Sequence, residues 1–296
     1  MRSLALTGAL TGALLLAGCA ATGTEPVAAF AAVPPAPTNA VPPQFQYLYG
    51  SGEGGAVALG VFHSLIAYVT EQAAKRPTDS VVLAADSAMR GASWAPCGDK
   101  PLAVVFDVDE TLIQNLGFEA RAATGEAYDQ ARWSRWEQSG DKAVAAMPGA
   151  VHAVDDLRKL GVTVVFNSNR SSANAAGTVA AIKAAGLGEA RHGETLFLKG
   201  DDSLGSAKDG RRAIIASRFC VVAMVGDQLG DFSDLFAAVK PVAERRDLAI
   251  HSSAAGKWGK GWFIVPNPVY GSALAGDQDA VFPADKRWAD PAEEKK

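Results

Sequence analysis

Short apolar runs rich in β-branched residues recur along the second two thirds of the chain, at Leu102 to Phe106, Val162 to Phe166, Leu196 to Leu198, Val221 to Val225 and Trp262 to Val265. The intervals hold segments with apolar residues at helical spacing, near residues 150 to 160, 173 to 185 and 206 to 217. Ahead of them, Val57, Val61, Phe62, Leu65, Ile66 and Val69 recur at three-to-four spacing between Glu53 and Lys75, the pattern of an amphipathic helix. Strands that are apolar throughout are covered on both faces, and strands joined through helices run parallel. The pattern therefore predicts an α/β fold with a central parallel sheet and helices on both faces. Ligands of such sheets sit at the carboxyl ends of the strands.

Those ends carry an unusual density of acid. The first run is followed by Asp107-Val108-Asp109-Glu110-Thr111, and the fourth by Gly226-Asp227-Gln228-Leu229-Gly230-Asp231. The second run ends in Asn167-Ser168-Asn169-Arg170, and Lys208 opens the helical segment before the fourth. Two carboxylates one residue apart at a strand end can converge on one site, where one attacks and the other moves a proton or helps to hold a cation. Each residue also has a plainer reading. Lys208 by itself is a solvated helix lysine, and Ser168 by itself caps the helix that follows.

The amino-terminal segment reads separately. Arg2 precedes an apolar run from Leu4 to Gly18, an arrangement of secretory signals that is too short for a permanent membrane span. It ends in Leu16-Ala17-Gly18-Cys19, which resembles the lipobox of bacterial lipoproteins. That resemblance implies cleavage before Cys19, a diacylglycerol on its thiol, and, with Ala20 next, an outer-membrane address for a domain in the periplasm or on the cell surface. The expected organisation is a signal over residues 1–18, a lipidated Cys19 with a Pro/Ala-rich spacer over 19–43, and a globular domain over 44–296. With 28 basic and 32 acidic residues there is no basic surplus, which argues against a nucleic-acid partner.

The ordered series Asp-x-Asp, Ser, Lys and Gly-Asp-x3-Asp resembles the haloacid dehalogenase (HAD) superfamily of phosphohydrolases, with its Rossmann-like fold. More narrowly, the chain resembles the class C bacterial nonspecific acid phosphatases, lipoproteins of the DDDD group. The likeness runs from about Gln44 to Trp288 and includes Gln46-Tyr47-Leu48-Tyr49, Trp133 with Trp136, Met147-Pro148-Gly149-Ala150, Ser206-Ala207-Lys208 and Pro266-Asn267-Pro268-Val269-Tyr270-Gly271. Gln114, Phe118 and Gly230 depart from residues common in that family. A haloacid dehalogenase proper is disfavoured by Asp109, an acid that phosphatases need for the leaving alkoxide.

The resemblance implies Asp107 as nucleophile, Asp109 as general acid and base, and Ser168 and Lys208 as ligands of the transferring phosphate. Mg²⁺ would be held by the carboxylates of Asp107 and Asp227 and the backbone carbonyl of Asp109, with Asp231 and Arg170 behind. An oxygen-rich set without a His/Cys cluster suits Mg²⁺ better than zinc. The segment from about 116 to 147 is an expected helical cap. Its Phe118, Trp133 and Trp136, together with Tyr270, form a wall for a nucleoside or aryl leaving group, or else the tryptophans fill the segment's own core. The implied partner is a small phosphomonoester: a 5'-nucleotide, nicotinamide mononucleotide or an aryl phosphate. The same family sheet puts Cys97 and Cys220 at its amino-terminal edge, where export permits a disulfide. The alternative from another class is a non-catalytic surface lipoprotein that keeps the fold, and the oligomeric state, a dimer included, is left open.

Overall fold

The computed structural model describes residues 40–239 and 241–290. The expected signal, Cys19 and the spacer as far as residue 39 lie outside the described residues. In chain order the principal elements are helix α1 (Gly52–Lys75), strands β1 (Asp79–Leu83), β2 (Trp94–Pro96), β3 (Leu102–Phe106) and β4 (Ile113–Gln114), helices α2 (Leu116–Ala122) and α3 (Gln130–Ser139), and strand β5 (Ala145–Ala146). They continue with α4 (Ala150–Lys159), β6 (Thr163–Ser171), α5 (Ala175–Ala184), β7 (Leu196–Lys199), α6 (Asp209–Arg218), β8 (Cys220–Gly226), α7 (Asp234–Ala238), α8 (Val242–His251) and β9 (Trp262–Ile264).

The five apolar runs form one parallel sheet in the order β7-β6-β3-β8-β9. Alternation along β3 divides the core into two layers. Val104 and Phe106 pack with Phe62, Leu65 and Val69 of α1 and with Ala153, Leu157 and Ile182 of α4 and α5. Ala103 and Val105 face the other way, with Ile215 of α6, Phe232, Phe236 and Trp262. The apolar stripe of α1 is thus a core face; the helix is long and apolar enough to cross a membrane, but its Phe62, Leu65 and Val69 are buried against the sheet.

Two features depart from the apolar runs. A β1/β2 hairpin, antiparallel and separate from the main sheet, closes the second face, with Ser80 Oγ donating to Val221 O (3.0 Å) and Trp262 Nε1 to Val81 O (2.8 Å). Strand β6 continues beyond Phe166 through Asn167-Ser168-Asn169-Arg170 to Ser171, paired with β7 at Ser168↔Leu198 and Ser171↔Lys199. At the amino-terminal edge, Cys97 and Cys220 are joined in a disulfide with a Cα separation of 4.5 Å.

Candidate active site

The central strand β3 delivers Asp107 to the carboxyl edge, its N–H donating to Val225 O of β8 (2.9 Å). Three residues on, the chain reverses through Glu110, whose φ of 53° lies in the left-handed region that non-glycine residues seldom occupy. Its fully buried carboxylate accepts from Tyr49 OH (3.1 Å), Tyr270 OH (2.6 Å) and the Asn115 N–H (2.8 Å), and these bonds hold the turn in place. The reversal carries Thr111 Oγ1 back to Asp107 Oδ2 (3.1 Å) and within 3.3 Å of Asp227 Oδ1.

Asp107, Asp227 and Asp231 each offer a carboxylate oxygen within 4.8 Å of the others. Lys208, the N-cap residue of α6, donates from Nζ to Asp107 Oδ1 and to Asp231 Oδ1 (2.7 Å). The other oxygen of Asp231 accepts the backbone N–H groups of Asp227 (3.1 Å) and Gln228 (2.9 Å), which fastens the loop after β8. Gly226 makes room for this: a Cβ there would stand 2.3 Å from that of Asp231. Asp227 Oδ2 accepts from Asn267 Nδ2 (2.7 Å) and Gln228 Nε2 (3.1 Å).

The electrostatics follow from this crowding. Burial pushes the Asp107 carboxyl up, against the opposing pull of Lys208. Burial, then Asp231 and Asp107, hold Asp227 well above the usual carboxylate range. Burial works against the Lys208 charge, yet Asp107 and Asp231 outweigh it and keep the amine above its ordinary value. Three buried carboxylates against one ammonium leave an excess of negative charge on hard oxygen donors, a set that fits a divalent cation.

Asp109 faces a different set of partners. Its Oδ1 accepts from Arg170 Nε (2.9 Å) and Nη2 (2.7 Å) and from Asn115 Nδ2 (2.9 Å), while Ser168 Oγ donates to Oδ2 (3.3 Å). Asn115 Oδ1 in turn accepts from Arg170 Nη2 and Trp136 Nε1, both at 2.9 Å. Ser168 does not cap a helix: it is fully buried in β6 and accepts the Arg170 N–H (3.0 Å), and the turn that follows is capped by Ser171.

A cavity of about 1250 Å³ opens over these groups, with Asp107, Asp109, Lys208 and Asp227 at its base. Phe118 and Trp133, edge to face at 4.9 Å, stand in one wall with Tyr128, and Tyr270 stands in another. Trp136 does not line it. Its ring lies against Gly117 and Gly140, where a Cβ would come within 2.9 Å of it, so this tryptophan belongs to the packing of the 116–147 segment. That segment is closed at its ends by the antiparallel β4/β5 pair. Lys199, the last residue of β7, is exposed on the rim of the cavity.

Residue types alone did not single out Glu110, Thr111, Asn115, Asn267, Arg211 and Arg212. Arg211 is fully buried and donates to Ser168 O and Asn169 Oδ1 (2.7 Å), while Arg212 joins Asp209 (2.6 Å) to Gly230 O (2.9 Å). These arginines bind the ends of β6 and β8 to α6. Thr111 sat inside the first acidic motif, so its spacing from Asp107 was the available signal.

The structure superposes on two solved structures of the class C acid phosphatase from Bacillus anthracis, one a crystal structure with tungstate bound, at TM-scores of 0.63 and 0.62. Identities are 22% and 21%, covering 85% of this chain and 92% of that one in both cases, and the likeness is one of fold. Acid phosphatase 1 of Solanum lycopersicum is 29% identical over 133 residues, 43% of this chain, and the match spans only half of the tomato protein's length. A family model described as HAD superfamily, subfamily IIIB (acid phosphatase) matches residues 62–273, a span that takes in β3, the whole carboxylate cluster, Lys208 and Tyr270, and the chain belongs to that family.

Proposed function

We propose that the protein is a Mg²⁺-dependent phosphomonoesterase working through an aspartyl-phosphate on Asp107. The observation that carries this reading is the division of labour at the end of β3. Asp107 is held by a lysine and a threonine in a carboxylate cluster, whereas Asp109 is held by an arginine and an asparagine at the cavity. Asp107 attacks phosphorus as the ester oxygen departs, and Asp109, in its protonated form, gives that oxygen its proton; Asp109 then takes a proton from the water that attacks the acyl-phosphate, releasing inorganic phosphate and returning Asp107 as the carboxylate and Asp109 as the acid. Lys208 and Ser168 bear on the transferring oxygens. The carboxylates of Asp107 and Asp227 and the backbone carbonyl of Asp109 would hold Mg²⁺, with Asp231 behind them, and when bound the ion supplies positive charge against the phosphate dianion.

The aromatic wall supports aryl phosphates, 5'-nucleotides and nicotinamide mononucleotide as substrates. Export and lipidation at Cys19, and hence an outer-membrane site for a soluble domain, rest on the sequence signal. The completeness of the set weighs against a non-catalytic binding lipoprotein. The test is turnover of p-nitrophenyl phosphate by the full chain at mildly acidic pH. We expect EDTA to abolish it, added Mg²⁺ to restore it, and Asp107→Asn to lose roughly a thousandfold or more in kcat with an unchanged fold. Sustained turnover by Asp107→Asn refutes the nucleophile assignment. Movement of Cys19→Ser from the membrane to the soluble fraction is the expected result for the anchor, and no movement refutes it.

A further inference from the structure

Glu119 stands apart from the other acids of the cavity wall. It lies in α2, is 6% exposed and lines the cavity, yet its carboxyl has no hydrogen-bond or cationic partner among the described residues. Its neighbours in the wall are engaged: Glu126 pairs with Arg121 and Arg132, Asp129 accepts the Arg132 N–H, and Glu137 accepts from Asn174 Nδ2 (2.6 Å). A polar group this buried ordinarily finds a partner, and one left without it, facing a cavity, marks a place for a ligand's donor. It follows Phe118 of the aromatic wall directly in sequence.

We propose that Glu119 is a specificity-determining residue, whose carboxyl accepts a hydrogen bond from a second donor group, hydroxyl or ammonium, carried by the alcohol that leaves the phosphate. The proposal rests on the phosphomonoesterase reading and adds to it a preference within that substrate class. Burial, then Glu110 and Asp109, push the Glu119 carboxyl up to about 8, and its carbonyl oxygen accepts in either protonation state. Glu119 and Asp109 line the same cavity, and in the proposed mechanism Asp109 is the group that meets the departing oxygen.

The test compares three substrates of similar size with the full chain in Mg²⁺: propyl phosphate, which has no second donor, glycerol 1-phosphate and 2-aminoethyl phosphate. For each donor substrate the readout is its kcat/KM divided by that of propyl phosphate. One or both ratios exceed unity in the wild type and fall about tenfold in Glu119→Ala, the loss expected for a hydrogen bond to a charged or strongly polar acceptor. Glu119→Gln, which keeps one acceptor oxygen, falls between and decides the matter should the alanine variant not fold. A fall in the glycerol ratio alone identifies a hydroxyl, and a fall in the aminoethyl ratio alone an ammonium. Ratios that are the same in wild type and variants overturn the proposal while leaving the phosphatase reading intact. If the wild type hydrolyses none of the three but turns over p-nitrophenyl phosphate, this proposal alone is overturned; if it turns over none of the four, the phosphatase reading fails and this one with it.

Discussion

Reduction of the Cys97–Cys220 disulfide should be the largest single change in stability that leaves the active site untouched. The bridge closes a loop with a sequence separation of 123. In the chain-entropy account, a loop of that length removes about 5 kcal/mol of unfolded-state freedom, a large part of the ~5 to 15 kcal/mol that holds a domain together. Both cysteines are 1% exposed, so a mild reductant reaches the bond only when the chain opens. The assay is urea unfolding of oxidised protein beside protein unfolded in reductant and refolded without exposure to oxidant. This keeps both sulfur atoms in the core and avoids the cavities that alanine would leave. With a denaturant slope of about 2 to 3 kcal/mol per M, the reduced form should unfold at a midpoint lower by about 2 M. The bridge lies at the amino-terminal edge of the sheet and the carboxylate cluster at the opposite one, so folded, reduced protein should retain its kcat. Midpoints that coincide within the equivalent of 1 kcal/mol would refute the reasoning, as would loss of turnover in reduced protein that remains folded.

Arg170→Ala removes the partner of Asp109 in a pair whose arginine is 1% exposed, and should cost roughly 3 kcal/mol in urea unfolding and lower kcat more than it raises KM. For Glu119 the sign follows from a carboxyl raised in the fold. The folded state keeps a proton that the unfolded state has released above about 4.5, so this group's contribution to stability is lost as pH rises from about 4.5 through about 8. Discounted for partial solvent access, Glu119→Gln should be more stable than wild type by about 2 kcal/mol at pH 8 and equal to it near pH 4, as read by paired denaturation curves. Mg²⁺ should raise the thermal midpoint in a concentration-dependent way, by the equivalent of about 3 kcal/mol at a hundred times its Kd, and Asp227→Asn should largely lose that response.

The sheet was legible because a strand buried on both faces leaves an uninterrupted apolar run, and the five runs became its five strands. The extension of β6 was not, since Asn167 to Ser171 are polar. Their strand conformation is held by pairing with β7 and by bonds to Asp109, Glu137 and Arg211, none of which is local in sequence. Hairpin β1/β2 is short and finds its apolar partners, Val221 and Trp262, far along the chain. The acidic motifs marked the site itself, because chemistry there requires particular residues at particular strand ends. Arg211 and Arg212 went unread for the opposite reason: a charged helix residue is solvated by default, and only the tertiary fold puts carbonyls and carboxylates around these two. Trp136 illustrates the same limit. An aromatic residue beside a site reads equally as wall or filler until its neighbours, here Gly117 and Gly140, are known.

The turn at Glu110 ties one carboxylate to Tyr49, ahead of α1, and to Tyr270, after β9. The loop after β3 is thus anchored by segments from near both ends of the folded region, one of which precedes the stretch matched by the family model, residues 62–273. A recombinant fragment trimmed to those limits would contain the whole carboxylate cluster and Lys208 and still lack one of the two phenols that hold the loop's left-handed residue. For choosing where to cut, tag or fuse this protein, the functional unit extends upstream to the Gln46-Tyr47-Leu48-Tyr49 stretch, and clipping by a protease ahead of α1 would act on the active site at a distance.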